Sequence, residues 1–352
     1  FGGITAEARR FSLFWSERLR SQFYQVLERR FSNHMRILSL FDGISCARVA
    51  LERAGIPVDV YYASEIDKNA IAVAQRNYPD TIQIGDVSQI DGCHIGIVSK
   101  GIDLLIGGSP CQDLSIAKKN RKGLDGERSG LFWHFVRIKN EVQPKFFILE
   151  NVASMSKESK DIISKALGVE PIMIDAALVS AQRRKRLFWT NIPNVGLPED
   201  RGILLKDILQ QNVEEKYFIN EPITQWRKIR NVSGEKSRTL TSSMWKGAQA
   251  DGMTNVIVKV GEIGNGGQGE RVYHRNGKSV TLSALGGGRG AKTGLHLMKD
   301  ERIRRLTPIE CERLQSLPDN WTEGISDNQR YRCLGNAFNV EVVAHILKGL
   351  AN

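Results

Sequence analysis

From Met35 onward the chain alternates short apolar runs with stretches of helical character, and this alternation restricts the fold more than any other feature. Apolar runs at residues 36–41 and 58–64 enclose a helix predicted near residues 47–54, and another helix is predicted at 68–77. Strand, helix and strand at this spacing are typical of a parallel sheet with crossover helices. The alternation continues as far as residues 172–174. We therefore expect an α/β fold with a doubly wound, mostly parallel sheet.

The alternation stops near residues 193–198, and the residues that follow are richer in Gly, Ser, Thr and Lys. Helical signals return after Leu306, where Thr307 as N-cap, Pro308 and Glu310 form a capped helix start. A length of 352 residues fits two domains, or one domain with an insertion, at about 100–200 residues per domain. The predicted division is an N-terminal helix (1–34), a first domain (35–194), a smaller inserted domain (195–300) and a return to the first domain (301–352).

Two segments of the inserted domain resemble each other. Residues 236–241 read KSRTLT and residues 278–283 read KSVTLS, which predicts two equivalent short strands. The glycine-rich stretches at 264–269 and 286–290 predict tight turns or close approach of the backbone to a ligand.

The charge of the chain favours a polyanionic partner. Fifty Lys and Arg residues against 39 Asp and Glu residues give a net charge of +11, although many basic proteins bind no nucleic acid. The five cysteines are widely spaced without a C-x-x-C pair, which argues against structural zinc and a disulfide framework. Apolar runs fall short of the roughly 20 residues of a membrane helix, and no signal-peptide core is present. We expect a soluble, intracellular protein.

Residues 5–33 predict a basic amphipathic helix, with large apolar side chains at every fourth position from Phe11 to Phe31 and arginines around them. Such a helix either packs on the body of the protein or forms an arm that binds nucleic acid or a partner. Met35 is compatible with the natural start of the core of the protein, and residues 1–34 would then be a fused or trimmed segment. An oligomer through this helix is conceivable but is not predicted.

The ends of the first three predicted strands carry residues suited to a nucleoside. Phe41, Asp42, Gly43 and Ser45 form a turn between the first strand and its helix, Glu65 ends the second strand, and Asp86 ends the third. An acidic residue about 20 positions after such a turn commonly holds a ribose hydroxyl. The G-x-G-x-x-G fingerprint is absent, so an ordinary strand-to-helix turn is the alternative interpretation. Together the three ends predict a nucleoside-containing cofactor.

A nucleophile is predicted at Cys111, which follows Pro110 at the end of the fourth long apolar run. Glu150 ends the next strand and should project from the same edge of the sheet. Arg184 and Arg186 are spaced by two with Gln182, which places the three side chains on one face of a strand. Buried packing of the cysteine and solvated arginines are the alternatives. A thiol, a carboxylate and two arginines suit attack on an electron-poor ring.

This ordered set resembles the DNA (cytosine-5)-methyltransferases. The similarity runs from Arg36 to the C-terminus, apart from the inserted region, and it also includes residues 305–310 and 335–337. Residues 107–115 and 171–181 are similar to the animal de novo enzymes, and residues 264–294 to bacterial and phage enzymes. Ser45 departs from the pattern because many members have glycine there.

The resemblance implies the fold of S-adenosylmethionine-dependent methyltransferases, which is Rossmann-like, and a role for each matching residue. Cys111 adds to carbon 6 of a flipped cytosine, Glu150 meets ring nitrogen 3, Arg186 binds the carbonyl oxygen, and Arg184 and Gln182 order the site. S-adenosylmethionine is the cofactor, S-adenosylhomocysteine is the product, and no metal is required. The predicted cofactor-binding residues are Phe41, Asp42, Gly43, Ser45, Glu65, Ile66, Asp86, Val87, Pro110, Asn336 and Ala337.

Duplex DNA is the partner that the resemblance implies, in the cytoplasm of a bacterial or phage-infected cell. The inserted domain is then the target-recognition domain, because its loops reach base edges in the major groove. The predicted DNA-binding residues are Gln112, Ser115, Gln182, Arg238, Lys246, Arg271, Arg275 and Arg289. Two alternatives are a transfer-RNA cytosine-5 methyltransferase, which has a shorter inserted region, and an inactive DNA-binding homologue. The intact Cys111, Glu150 and Arg186 argue against inactivity.

Overall fold

A sheet of seven strands dominates the computed structural model. The structure describes residues 34–91, 101–110, 129–219, 225–226, 259–263, 267–282, 294–298 and 302–350. The strands are β1 (Met35–Leu40), β2 (Val58–Ser64), β3 (Ile82–Gln83), β4 (Leu104–Gly108), β5 (Phe146–Val152), β6 (Ile172–Asp175) and β7 (Lys185–Thr190). Their spatial order is β3-β2-β1-β4-β5-β7-β6, and among these described strands β7 runs in the direction opposite to the other six. The predicted α/β fold with a mostly parallel sheet is confirmed.

Helices cover both faces of this sheet. They are α1 (Cys46–Arg53), α2 (Lys68–Asn77), α3 (Phe132–Val142), α4 (Lys157–Leu167), α5 (Pro308–Leu314), α6 (Asp327–Asn336) and α7 (Val340–Leu347). The sequence places α2 correctly, because Asp67 caps it by accepting a hydrogen bond from the backbone N–H of Asn69. Helix α4 begins directly after Ser156, whose hydroxyl accepts from the N–H of Ser159 and so caps the first turn.

Neighbouring residues of the central strands enter two different hydrophobic cores. Ile37 packs with α1 and α7 on one face of the sheet, whereas Leu38 packs with α3 and α4 on the other. Ile148 and Leu149 divide in the same way on β5. This burial on both faces explains why the central strands are continuous apolar runs rather than alternating ones.

The C-terminal segment returns to the first sheet. The capped helix start predicted at Thr307 is confirmed, since its hydroxyl accepts from the N–H of Glu310 and the Glu310 carboxylate accepts from the N–H of Thr307. Glu310 is fully buried and binds Arg304 through two hydrogen bonds of 2.6 and 2.7 Å. Helix α7 packs against α1, with Glu341 paired to Arg53 at 2.6 Å.

Residues between 218 and 304 form a second sheet of six strands. Its strands are β8 (Phe218–Ile219), β9 (Gln225–Trp226), β10 (Lys259–Glu262), β11 (Arg271–His274), β12 (Leu295–Leu297) and β13 (Ile303–Arg304). Their order is β8-β13-β12-β11-β10-β9, and all described pairs are antiparallel except β11 with β12. A small core around Val272 and Leu295 stabilises this sheet.

The second of the two echoing segments does not form the predicted strand over its described residues. Residues 278–282 form a single bridge between Ser279 and Gln182 instead of a strand, so the prediction for this copy is wrong. The physical reason is that the backbone of Ser279 bonds to the first domain, donating to the carbonyl of Ala181 and accepting from the N–H of Arg183. Residues 236–241, the predicted N-terminal helix, residues 264–266 and residues 286–290 lie outside the described residues. None of the described helices combines the length and apolarity needed to cross a membrane.

Candidate active site

A cavity of 280 Å³ opens at the carboxyl edge of the seven-stranded sheet. The ends of β1, β2 and β3 supply Phe41, Glu65 and Asp86 to its wall, and the end of β4 supplies Pro110. Strand β7 runs antiparallel, so its first residues reach the same edge. The volume is close to the lower end of the range typical of ligand sites, about 300–1,000 Å³.

The turn between β1 and α1 has an unusual backbone. Phe41, Gly43 and Ser45 all adopt left-handed conformations, with φ values of 57°, 63° and 60°. Glycine does so freely, but the other two residues do so at an energetic cost that the surrounding contacts must offset. Such conformations cluster at binding sites, and here they place Phe41 and Gly43 on the cavity wall.

Glu65 connects this turn to the start of α2. Its Oε2 accepts from the N–H of Gly43 at 2.9 Å, and its Oε1 accepts from Ile66 and Asp67 at 2.8 and 2.9 Å. Three backbone donors therefore fix the orientation of this carboxylate at the cavity wall. Asp86 is held in a similar way, since its Oδ1 accepts from the N–H of Ser88 at 2.8 Å.

Ser45 does not reach the cavity. Its side chain is fully buried and donates to Asp42 Oδ2 at 2.7 Å, while Tyr61 donates to Asp42 Oδ1 at 2.6 Å. Asp42 does line the cavity, and burial raises the pKa of its carboxyl group above the usual value. Ser45, at a position where many members of the similar family have glycine, therefore contacts the cavity wall indirectly, by holding the Asp42 carboxyl group.

The lining is acidic in a basic protein. Five acidic residues line the cavity against two arginines. The acidic residues are Asp42, Glu65, Asp67, Asp86 and Glu150, and the arginines are Arg184 and Arg186. A ligand that carries positive charge fits this arrangement electrostatically.

Glu150 and Arg186 pair across β5 and β7. Glu150 Oε1 lies 2.7 Å from Arg186 Nε, and both side chains are largely buried at the cavity wall. Gly108 makes room for this pair. A Cβ atom at position 108 would lie 2.7 Å from Phe338 Cε1 and 3.2 Å from Glu150 Oε2.

The segment that leads to Cys111 is anchored at the same place. Asn151 donates from Nδ2 to the hydroxyl of Ser109 at 3.0 Å and to its carbonyl at 3.3 Å. Pro110 lines the cavity, and Cys111, the next residue, lies outside the described residues.

Gln182 and Arg184 depart from the predicted arrangement. Strand β7 begins only at Lys185, so the three predicted side chains do not share one strand face. Arg184 and Arg186 line the cavity, whereas Gln182 is fully buried away from it and bonds to α5. Arg184 donates from Nη2 to the carbonyls of Gly335 and Ala337 at 3.2 and 2.9 Å.

The remaining predicted residues fall into three groups. Ile66, Val87, Asn336 and Ala337 line the cavity as predicted for cofactor contacts. Arg271 is exposed on β11 and Arg275 follows that strand in a turn, and neither lines the cavity. Gln112, Ser115, Arg238, Lys246 and Arg289 lie outside the described residues.

Several residues of the lining were not predicted. The sequence carried a signal for Asp67, because an acidic residue directly before a predicted helix is a typical N-cap. It carried none for Phe338 or Leu131, whose place depends on how α6, α7 and α3 pack around β4. Cys333 also lines the cavity, and burial raises its pKa to about 12. Within the described ranges, no group of three or more His, Cys, Asp or Glu side chains could hold a metal ion.

Comparison with characterised proteins gives matches along nearly the whole chain. Type II methyltransferase M.HhaI of Haemophilus parahaemolyticus is 29% identical over 330 residues, which cover 89% of this chain and 93% of that protein. The orphan methyltransferase M.SPRI of Bacillus phage SPR is 27% identical, with 90% of this chain and 97% of that protein covered.

Solved structures give the same result. A putative DNA modification methyltransferase encoded within an E. coli prophage superposes with a TM-score of 0.60 at 26% identity, covering 90% of this chain and 98% of that chain. The S. pombe Dnmt2 methyltransferase, at 18% identity with the same coverage and a TM-score of 0.63, supports the fold alone. The sequence profile of the C-5 cytosine-specific DNA methylase family matches residues 35–352. The chain therefore belongs to this family and is a DNA (cytosine-5)-methyltransferase.

Proposed function

We propose that this enzyme transfers a methyl group from S-adenosylmethionine to carbon 5 of a cytosine flipped out of duplex DNA, through a covalent adduct with Cys111. One observation carries the proposal. A single cavity holds Phe41, Glu65 and Asp86 at one group of strand ends, and Pro110, Glu150 and Arg186 at the neighbouring ones. The two halves suit a nucleoside cofactor and a cytosine ring.

The first half fits S-adenosylmethionine, which supplies the methyl group when bound. The acidic lining matches the positive charge of its sulfonium centre. Phe41 offers a ring for stacking on adenine, the oriented Glu65 carboxylate accepts from ribose hydroxyls, and Asp86 accepts from the adenine amino group. Asp42 and Gly43 lie between them, and Ile66, Val87, Asn336 and Ala337 complete the wall. The chemistry of these lining residues supports the cofactor assignment.

In the second half the cytosine must leave the stack, because carbon 6 cannot be reached within a duplex. The Cys111 thiolate forms a bond to carbon 6 while Glu150 donates a proton to ring nitrogen 3, which makes carbon 5 nucleophilic. Arg186 holds the carbonyl oxygen, and Arg184 fixes the turn of Gly335–Ala337 on the cavity wall. Once carbon 5 carries the methyl group it loses its proton to water, the double bond between carbons 5 and 6 forms again, and the Cys111 thiolate leaves carbon 6. The proton on ring nitrogen 3 returns to Glu150.

Methyl transfer from tritiated S-adenosylmethionine tests this proposal directly. Duplex DNA should be labelled, and bisulfite sequencing of DNA from an expressing host should place the label at cytosine in a defined sequence. Labelling of transfer RNA but not of duplex DNA would contradict the DNA assignment. No label on either substrate would favour an inactive DNA-binding homologue.

The substitutions Phe41→Ala and Glu65→Ala are expected to weaken cofactor binding more than DNA binding. Hydrogen bonds to a charged group contribute about 1.5–3 kcal/mol, so Glu65→Ala should raise the cofactor dissociation constant by roughly 10- to 150-fold. Calorimetry with S-adenosylhomocysteine measures this value without DNA. The control is Glu170→Ala, which removes an exposed carboxylate outside the cavity. Equal losses of DNA affinity would assign Phe41 and Glu65 to folding instead.

We further propose that residues 195–300 form the target-recognition domain and that Arg271 and Arg275 contact DNA there. If either arginine contacts a phosphate, its alanine variant should bind every DNA sequence less tightly and with a weaker salt dependence. If it contacts a base, the methylated sequence should relax at one position, for about 1–3 kcal/mol.

Genome-wide methylation mapping and salt titrations of DNA binding separate these two results. Arg53→Ala serves as the control, since this arginine is paired with Glu341 in the first domain. DNA binding and specificity equal to those of the wild type in both variants would move recognition to other residues.

A further inference from the structure

We propose that Gln315 is a positioning residue that fixes the turn between α6 and α7, and with it the cavity wall at Asn336, and that Gln182 links this turn to the inserted region. The inference rests on the proposed function, because it assumes that Asn336 lies against the cofactor. Neither glutamine lines the cavity, and both side chains are fully buried.

Gln315 binds the turn between α6 and α7 through both its side chain and its backbone. Its Nε2 donates to the carbonyl of Leu334 at 2.6 Å and to that of Ala337 at 3.3 Å. The backbone carbonyl of Gln315 accepts from the N–H of Val340, at the start of α7, at 3.0 Å. Asn336 lies between the two carbonyls that the side chain binds, so this one amide clamps both sides of a cavity residue.

Arg184 holds the same turn from the sheet. Its Nη2 reaches the carbonyls of Gly335 and Ala337, so the Ala337 carbonyl accepts from both Arg184 and Gln315. Arg184 lines the cavity, whereas Gln315 approaches from the side of α5. The turn is thus held by Arg184, which lines the cavity, and by Gln315, which does not.

Gln182 connects Gln315 to the inserted region. Its Nε2 donates to Gln315 Oε1 at 3.4 Å and to the carbonyl of Leu314 at 3.3 Å, and its Oε1 accepts from the N–H of Leu282 at 3.1 Å. Residues 278–282 are bound to the first domain at further points, including Thr281, whose hydroxyl donates to the carbonyl of Arg183 at 2.6 Å.

The Gln182 side chain is buried, and its described hydrogen bonds all go to other groups of the protein. A side chain that reads DNA must instead offer its polar atoms to a base. The structure therefore assigns Gln182 to coupling rather than to base recognition. Two adjacent buried amides are costly to leave unpaired, so loss of either should loosen the turn that they share.

The variant Gln315→Met keeps the length of the side chain and removes its hydrogen bonds. We expect the dissociation constant of S-adenosylhomocysteine, measured by calorimetry without DNA, to rise about tenfold, because a net loss near 1.4 kcal/mol is typical of such bonds. Gln182→Met should raise it about threefold and leave the methylated sequence unchanged. The double variant should lose less than the product of the two effects, since both act through one turn.

The control is Asn191→Ala, which also removes an amide that bonds to the backbone twice, at Phe147 and Lys145, outside the cavity lining. It should lower the thermal midpoint without changing cofactor affinity. The positioning role would be overturned if Gln315→Met bound S-adenosylhomocysteine as tightly as the wild type. It would also be overturned if Asn191→Ala lost as much of this affinity as Gln315→Met. If Gln315→Met does not fold, an unchanged affinity in Gln182→Met has the same consequence. A wild-type enzyme that does not bind S-adenosylhomocysteine would instead contradict the proposed function.

Discussion

Replacing Cys111 with alanine is expected to abolish methyl transfer while leaving cofactor binding close to that of the wild type. Without the thiolate no bond forms to carbon 6, and carbon 5 does not become nucleophilic. The other cysteines that the structure describes are poor substitutes. Cys46 and Cys311 are buried in the core, and burial raises the pKa of both thiols. A thiol held protonated at neutral pH is a weak nucleophile.

Covalent trapping gives a direct measurement of this role. DNA with 5-fluorocytosine at the target carries fluorine where the departing proton should be, so the adduct with the wild-type enzyme should persist on a denaturing gel. Cys111→Ala should give no adduct. Cys333→Ala is the matched control, because Cys333 lines the cavity, and this variant should still be trapped. Residual turnover in Cys111→Ala, or loss of the adduct only in Cys333→Ala, would show that the nucleophile is a residue other than Cys111.

The sequence predicted the parts of this site that depend on strand ends. Residues such as Glu65, Asp86 and Glu150 follow or end continuous apolar runs, and the carboxyl ends of parallel strands meet at one edge of a sheet. Their order along the chain was therefore enough to bring them together around one cavity. The resemblance to a known family added Asn336, whose place could not follow from local pattern.

The sequence could not predict contacts made by tertiary packing. Gln182 has the spacing of a strand residue, but β7 starts three residues later and the side chain turns towards Gln315, more than a hundred residues away along the chain. The echo at residues 278–282 failed for a related reason, because Ser279 pairs with residues beside Gln182 rather than within the second sheet. Ser45 was assigned to the cofactor by position, whereas its hydroxyl is occupied by Asp42.

Glu150→Gln is expected to lower kcat by about 10²- to 10⁴-fold, the range typical of general acid–base groups. Glutamine preserves the shape of the side chain, but an amide cannot transfer a proton to ring nitrogen 3. The pairing with Arg186 also changes, since the 2.7 Å contact then joins a guanidinium to a neutral oxygen. Arg186 should still bind the carbonyl oxygen of cytosine, so the affinity for DNA should change little.

A chemical role of Glu150 predicts that Glu150→Gln lowers kcat but keeps its affinity for DNA, whereas a structural role predicts that DNA affinity falls. Single-turnover methylation on duplex DNA measures the chemical step, and fluorescence anisotropy of labelled DNA measures binding. Glu170→Gln, the same substitution at an exposed site, is the control. If Glu150 only held Arg186 in place, Arg186→Ala and Glu150→Gln would reduce DNA affinity together, and Glu150→Gln would stay within a few-fold of the wild-type chemical rate. A large loss in the chemical step at unchanged DNA affinity is the result that a proton donor at nitrogen 3 requires, because that proton matters only once Cys111 has begun to attack.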